Sequence, residues 1–205
     1  LAVFDIEEFL KITPKEMGEL EALVNEDLPP LVDSDMRFSA SKIRQYMECP
    51  LKFKYSNVLN IPIPQKTFFQ TGTDVHSVFE QLCRHKMQGA SIDMELANRI
   101  LDKTWDGSVI DSETHEQQEL ERVRQMLEYW FEFEESNVSE TIAVEEKFNL
   151  KLDGAQFGGV IDRIDQTPAG EYIVIDYKTS KSPLSKNKIP EDVQLALYCQ
   201  AVRER

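Results

Sequence analysis

The sequence predicts an α/β fold in which a mixed central sheet is flanked by helices, with a helical N-terminal portion. Two observations favour it. Apolar residues recur at helical spacing up to about residue 135, and from about residue 140 they form short Val- and Ile-rich runs bounded by turn residues. A last helical pattern closes the chain. Helices before and after a meander of strands favour a sheet covered by helices.

The helical part begins at a serine cap. Ser39 or Ser41 can cap a first helix, which Pro50 would end or kink. The remaining predicted helices are 51–55, a segment opened by Gly72, 94–105, 116–135 and 190–203. Three consecutive strands are predicted at 142–152, 156–165 and 171–178, joined by turns at 153–154 and 168–170.

Composition sets the broad class. The 205 residues suffice for one sizeable core, and 41% hydrophobic with 29% charged residues is ordinary for a globular protein. No apolar run reaches membrane-spanning length, no signal-peptide pattern is present, and three scattered cysteines fit a reducing compartment. We therefore expect a cytoplasmic protein that does not enter a membrane.

Charge and the first residues suggest a piece of a larger protein. Residues 1–35 are acidic and interrupted by prolines, which is typical of a linker or the tail of a preceding module, and residues 36–205 form the predicted domain. The chain starts with Leu, so we expect a fragment. A net charge of −14 argues against strong independent binding to nucleic acid. Basic residues return after the third strand, at Lys178, Lys181, Lys186 and Lys188.

Two acids and a lysine lie on the predicted strands. Asp162 belongs to the second strand, and Asp176 and Lys178 are two residues apart on the third, so they share a face. Charges rarely enter buried strands unless they are paired or bind a metal. The pattern indicates a divalent-metal site beside an ammonium group, and phosphodiester hydrolysis needs those parts.

Motifs around these residues occur in a fixed order. They resemble the RecB-like branch of the PD-(D/E)xK nuclease superfamily, over roughly residues 37 to 205. The matching segments are Ser39-Ala40-Ser41 with Tyr46 and Cys49-Pro50, Gly72 to His76, Gly158 or Gly159 to Asp165, Asp176 to Thr179, and Gln194 with Tyr198. The resemblance implies a restriction-endonuclease-like core and a Mg²⁺- or Mn²⁺-dependent deoxyribonuclease.

The resemblance also implies roles for single residues. Asp162, Asp176, His76 and the backbone carbonyl of Tyr177 would bind the metal. Lys178 would orient or activate the attacking water and stabilise the transition state. The remaining assignments are less specific: Gln194 and Tyr198 would support the site or contact DNA, or else only pack, and Glu145 corresponds to an acid that helps to organise some relatives.

The structural alternatives remain open for other polar residues. Asp162 could form an ordinary ion pair with Arg163 or Lys178, and Asp165 is interpreted as a turn or salt-bridge residue. Arg163 is expected to pair with an acid. An iron-sulfur cluster is not expected, because Cys49 alone matches the cysteines of cluster-bearing relatives and four thiolates are needed.

The sequence therefore predicts a metal-dependent DNA nuclease. The resemblance places it with DNA repair and recombination helicase-nucleases, as a nucleoid-associated partner of a helicase domain in the same chain or complex. The chain has no P-loop, so unwinding would lie elsewhere. The alternatives are a catalytically silent scaffold with a nuclease-like fold and an unrelated metal hydrolase. Exonuclease and endonuclease action are not distinguished.

Overall fold

The computed structural model describes residues 36–62, 67–110, 112–179, 189 and 191–205. The predicted linker 1–35 and the lysines at 181, 186 and 188 lie outside these residues. The helices are α1 (Ala40–Glu48), α2 (Pro50–Phe53), α3 (Thr67–Met87), α4 (Met94–Thr104), α5 (Glu113–Ser136) and α6 (Val193–Arg203). The strands are β1 (Arg37–Phe38), β2 (Glu140–Leu152), β3 (Ala155–Gln166) and β4 (Tyr172–Ile175).

The described strands form one mixed sheet, as predicted. β3 is central: it pairs antiparallel with β2 on one side, and with β1 and β4 on the other, parallel to β1 and antiparallel to β4. β2 and β3 are joined by the predicted turn at Asp153-Gly154, where both residues have positive φ.

Helices cover both faces of this sheet. Two buried clusters show this, because the apolar side chains of β2 alternate between them. Val144 packs with α3, α4 and α5, around Leu82, Leu101 and Leu127. The neighbouring Ala143 packs instead with the α6 cluster. The sheet thus fixes α3 on one face and α6 on the other, and both helices carry predicted site residues.

The N-terminal helices follow from their caps. Ser39 caps α1 by accepting from the backbone N–H of Lys42, and Cys49 separates α1 from α2. Pro50 occupies the first turn of α2, where its missing N–H costs no hydrogen bond. The prediction of one helix over 51–55 is wrong in its bounds, because α2 ends at Phe53 and a π-helical turn spans Lys54–Val58.

Two further bounds differ from the sequence prediction. α3 begins at Thr67, five residues before Gly72, so Gly72 lies inside the helix. β4 ends at Ile175 and stops short of Asp176 and Lys178. The ladder ends there because the N–H of Tyr177 donates to the carboxylate of Asp162 at 2.8 Å and not to a strand carbonyl.

Candidate metal centre

The candidate site lies where β2, β3 and α3 meet. The antiparallel register places Glu145 on β2 opposite Asp162 on β3. α3 packs against both strands and supplies His76. One ligand atom from each of these three residues lies within 4.8 Å of the other two. A nitrogen and two carboxylates thus converge from three elements that are far apart in sequence.

Glu145 has an unusual backbone conformation for a strand residue. Its φ is +49°, in the left-handed region, while the residues on either side of it pair normally with β3. A non-glycine residue held there costs about 1–3 kcal/mol, and such residues cluster at functional sites. Burial raises the pKa of Glu145, and the neighbouring carboxylates of Asp162 and Glu80 raise it further. A bound cation would relieve this repulsion.

Tyr177 connects two of the candidate ligand residues through its main chain. Its N–H donates to Asp162 Oδ2, and its carbonyl oxygen lies 3.0 Å from His76 Nε2. The other ring nitrogen of His76, Nδ1, lies 3.5 Å from Asp162 Oδ2. The peptide groups of Tyr177 therefore fix the positions of both side chains.

A second polar group adjoins this one. Lys178 forms an ion pair with Asp176, and its ammonium also donates to Gln194 Oε1 at 3.0 Å. Gln194 Nε2 lies 2.9 Å from Asp176 Oδ1 and 2.7 Å from the hydroxyl oxygen of Tyr198. The structure thus brings Asp176, Lys178, Gln194 and Tyr198 into one hydrogen-bonded network. Asp176 borders the His76–Glu145–Asp162 group and lies outside it.

The electrostatics couple the two groups. Burial lowers the pKa of His76, but the hydrogen bond and charge of Asp162 outweigh it, and the net pKa is raised. Burial raises the pKa of Asp176, against the lowering effect of Lys178, and the charge of Asp162 raises it further. Burial also raises the pKa of Tyr198 to about 12, so its hydroxyl stays protonated. The site holds more negative charge than its own cations balance.

The spacing of Gly72 and His76 has a packing reason. They are four positions apart, so they lie on one face of α3. A Cβ at Gly72 would lie 3.2 Å from Thr179 Oγ1, which is tighter than most contacts. Glycine therefore lets α3 approach the segment after β4 closely enough for His76 to reach Tyr177.

The side chain of Tyr177 is anchored in a buried polar network behind the site. Its hydroxyl accepts from Trp130 Nε1 at 3.1 Å and from Arg163 at 3.4 Å. Arg163 is 0% exposed and donates twice to Asp165, at 2.6 and 2.7 Å, and it also pairs with Glu134. Burial raises the pKa of Asp165, but Arg163 outweighs it and the pKa is lowered. The expected pairing of Arg163 with an acid is confirmed.

The comparisons with known proteins identify the family. Residues 37–205 match the PD-(D/E)XK nuclease superfamily. The chain belongs to this superfamily. Its members are in general metal-dependent nucleases, and the mixed sheet flanked by helices is the fold expected of them. The chain is also similar to the "Gene 69 protein" of Mycobacterium phage L5, with 26% identity over 208 residues that cover 80% of this chain and 69% of the phage protein.

The residues fit a hard divalent cation. Carboxylate oxygens and an imidazole nitrogen suit Mn²⁺, and the carboxylates suit Mg²⁺. The donor atoms of His76, Glu145 and Asp162 are close enough to share one ion. Burial, and after it the charges of Asp162 and Glu80, raise the pKa of Glu145, and a bound cation would offset this negative charge. The donor chemistry is thus that of the metal-dependent nucleases in this superfamily.

The sequence resemblance gives Glu145 only a role in organising the site of some relatives, and the structure brings it beside His76 and Asp162. The sequence shows an ordinary acid on a strand, and its positive φ and its position opposite Asp162 appear only in the folded sheet. For Asp162, the alternative to metal binding is an ordinary ion pair with Arg163 or Lys178. It contacts His76 and the N–H of Tyr177 instead, while Arg163 pairs with Asp165 and Glu134.

Two other features bear on the predictions. Cys49 caps α2, with its Sγ 3.5 Å from the backbone nitrogen of Lys52, and the absence of an iron-sulfur cluster stays a prediction.

Within the described ranges, every helix is too short or too polar to cross a membrane.

Proposed function

We propose that this superfamily member hydrolyses DNA phosphodiester bonds with Mg²⁺ or Mn²⁺. One observation carries the proposal: the His76–Glu145–Asp162 group lies beside the Asp176–Lys178 pair. A metal-ligand set next to an ammonium group is the combination that phosphodiester hydrolysis requires.

Each residue has a distinct part in the proposed reaction. His76, Glu145 and Asp162 would hold the cation, and Asp176, which borders this group, and the Tyr177 carbonyl would supply further oxygen ligands. When bound, the ion lowers the pKa of a water ligand and offsets the charge that develops on the phosphate.

The hydrolysis itself forms a bond from phosphorus to a water oxygen and breaks a bond to a sugar oxygen. Negative charge builds up on the phosphate oxygens. Lys178 donates to water or to these oxygens, and Gln194 holds its ammonium group through Oε1. Tyr198 in turn contacts Gln194, so it keeps the amide oriented.

We further propose that the domain is RecB-like and acts with a helicase in DNA repair or recombination, inside the cell and at the nucleoid. The support is the ordered set of sequence motifs from Ser39 to Tyr198. The helicase would lie in the same protein or in a partner. This assignment is finer than superfamily membership, and it is tested by whether the full-length protein couples ATP-driven unwinding to cleavage.

The first test is cleavage of end-labelled single-stranded and duplex DNA with Mg²⁺, Mn²⁺ or EDTA. Lys178→Ala should slow cleavage by roughly 10²–10³-fold, because one donor to the transition state is lost, while metal binding is largely kept. Asp176→Ala should abolish cleavage and weaken metal binding. Lys151→Ala, which removes an exposed lysine at the end of β2, is the matched control.

The outcomes separate the candidate functions. Full activity of Lys178→Ala would show that the mechanism is wrong. Metal binding without cleavage by the wild type, both alone and with a helicase partner present, would favour the silent scaffold. The product ladder of an active wild type distinguishes exonuclease from endonuclease action.

A further inference from the structure

A basic groove lies on the helical N-terminal portion. Residues 36–62 contain five Lys or Arg residues and one Glu, in a chain whose net charge is −14. α1, α2 and the π-helical turn enclose a groove of about 350 Å³ there. Its lining includes three cations, Lys42, Arg44 and Lys52, and one acid, Glu48. Positive charge is thus concentrated on one small surface of an acidic protein.

The cations of this groove are only weakly neutralised. Among the described residues, Lys52 forms no ion pair, and Lys42 donates to the carbonyl of Arg37 at 3.0 Å, which leaves its charge unbalanced. Arg44 contacts Asp192 at 3.5 Å, and its side chain is 49% exposed. Their charge is therefore available to a ligand.

The rest of the groove is polar and internally braced. Gln45 donates to Ser56 at 3.4 Å and accepts from Asn57. These contacts tie α1 to the π-helical turn. Hydroxyl and amide groups beside cations are the groups that contact phosphate and sugar in nucleic-acid complexes. The groove is thus a preformed surface for a phosphate-bearing chain.

Its position connects it to the candidate catalytic residues. Arg44 contacts Asp192, which caps α6 by accepting from the N–H of Gln194 at 2.8 Å. The side chain of Gln194 then reaches Asp176 at 2.9 Å. α1 packs directly against α6, so the groove and the candidate catalytic residues are linked through neighbouring helices.

We propose that this groove binds the phosphodiester backbone of the DNA strand whose scissile phosphate enters the site. The inference rests on the proposed function and assigns it a substrate-binding surface. Since the net charge of the chain is −14, DNA binding needs a surface where positive charge is locally concentrated, and this groove provides one. The contacts are with phosphates, so binding is independent of sequence and falls with salt.

The test is DNA binding without cleavage. Fluorescence anisotropy of a labelled single strand and of the matching duplex is measured in EDTA, across a range of KCl concentrations. Lys52→Gln should weaken single-strand binding about fivefold at 0.1 M salt and lower the slope of log K against log salt by about 0.7, as one lost phosphate contact implies. Glu48→Gln should strengthen binding, which a misfolded variant would not do.

Lys103→Gln on α4 is the matched control, because it removes one exposed lysine at a distance from the groove in sequence and fold. Equal affinities and slopes for Lys52→Gln and Lys103→Gln would overturn the proposal, and so would a wild type that does not bind DNA at low salt. If the wild type binds through Lys52 but never cleaves with metal, the groove stands and the hydrolase fails. If it cleaves while Lys52→Gln binds normally, the hydrolase stands and the groove fails.

Discussion

Replacing Arg163 by Met tests whether the buried network behind the site stabilises the fold. Arg163 and Asp165 are both fully buried, and Glu134 is nearly so. Met is of similar length and carries no charge. The variant would leave the Asp165 carboxylate its hydrogen bond from the Asn137 amide, at 2.9 Å, but no cation. The change therefore removes one partner of a buried ion pair and leaves the other in place.

The expected cost is large. Breaking a buried pair from one side costs about 3–5 kcal/mol, because a charge is left without compensation. For a domain of this size, 1 kcal/mol corresponds to about 2–4 °C, so Tm should fall by roughly 10 °C. Asp165 has a lowered pKa, and its contribution to stability is lost as the pH falls through that pKa. The difference between wild type and variant should therefore narrow in acid, below about pH 4.

Urea denaturation followed by circular dichroism measures the free energy of unfolding. Arg99→Met is the matched control, since Arg99 pairs with Glu95 on α4 and their side chains are 60% and 78% exposed. That change should cost less than about 1 kcal/mol. The double variant Arg163→Met with Asp165→Asn should lose less than the sum of the single losses. A cost for Arg163→Met as small as that for Arg99→Met would refute the reasoning.

Three further predictions concern the metal. Tyr177→Phe should weaken Mn²⁺ binding several-fold, because the hydroxyl that anchors the peptide between His76 and Asp162 is lost. Tyr172→Phe is the control. Equal Mn²⁺ affinities of the two variants in a calorimetric titration would contradict this prediction. Glu145→Gln should also weaken Mn²⁺ binding, and unchanged affinity would exclude Glu145 as a ligand. Mn²⁺ affinity should fall as the pH drops, because His76 must be neutral to bind the metal. Since the pKa of His76 is raised, this fall in affinity should begin at a higher pH than for an ordinary histidine. An affinity that is constant between about pH 6 and 8 would contradict this.

Much of the fold could be predicted because its signals are local. The change from helical to alternating apolar spacing near residue 140 marks the start of the sheet, and the turn at Asp153-Gly154 sets the β2–β3 hairpin. Local sequence signals gave wrong element bounds where residues distant in sequence determine them. β4 ends before Asp176 because Asp162, on another strand, captures the N–H of Tyr177. α3 begins at Thr67, before Gly72. The glycine does not mark a helix start, because its role is to allow close packing against Thr179.

The candidate site divides in the same way. The sequence by itself determined the residue types, their order and the strand spacing. These sufficed for Asp162, Asp176 and Lys178 as candidates, and the resemblance of the ordered motifs added His76, Gln194 and Tyr198. The tertiary structure decided which of them share a ligand set, that Gln194 and Tyr198 join the Asp176–Lys178 network, and that Glu145 belongs with His76. The physical reason is that register, backbone conformation and helix approach set distances between side chains, and no local pattern encodes a distance across the fold.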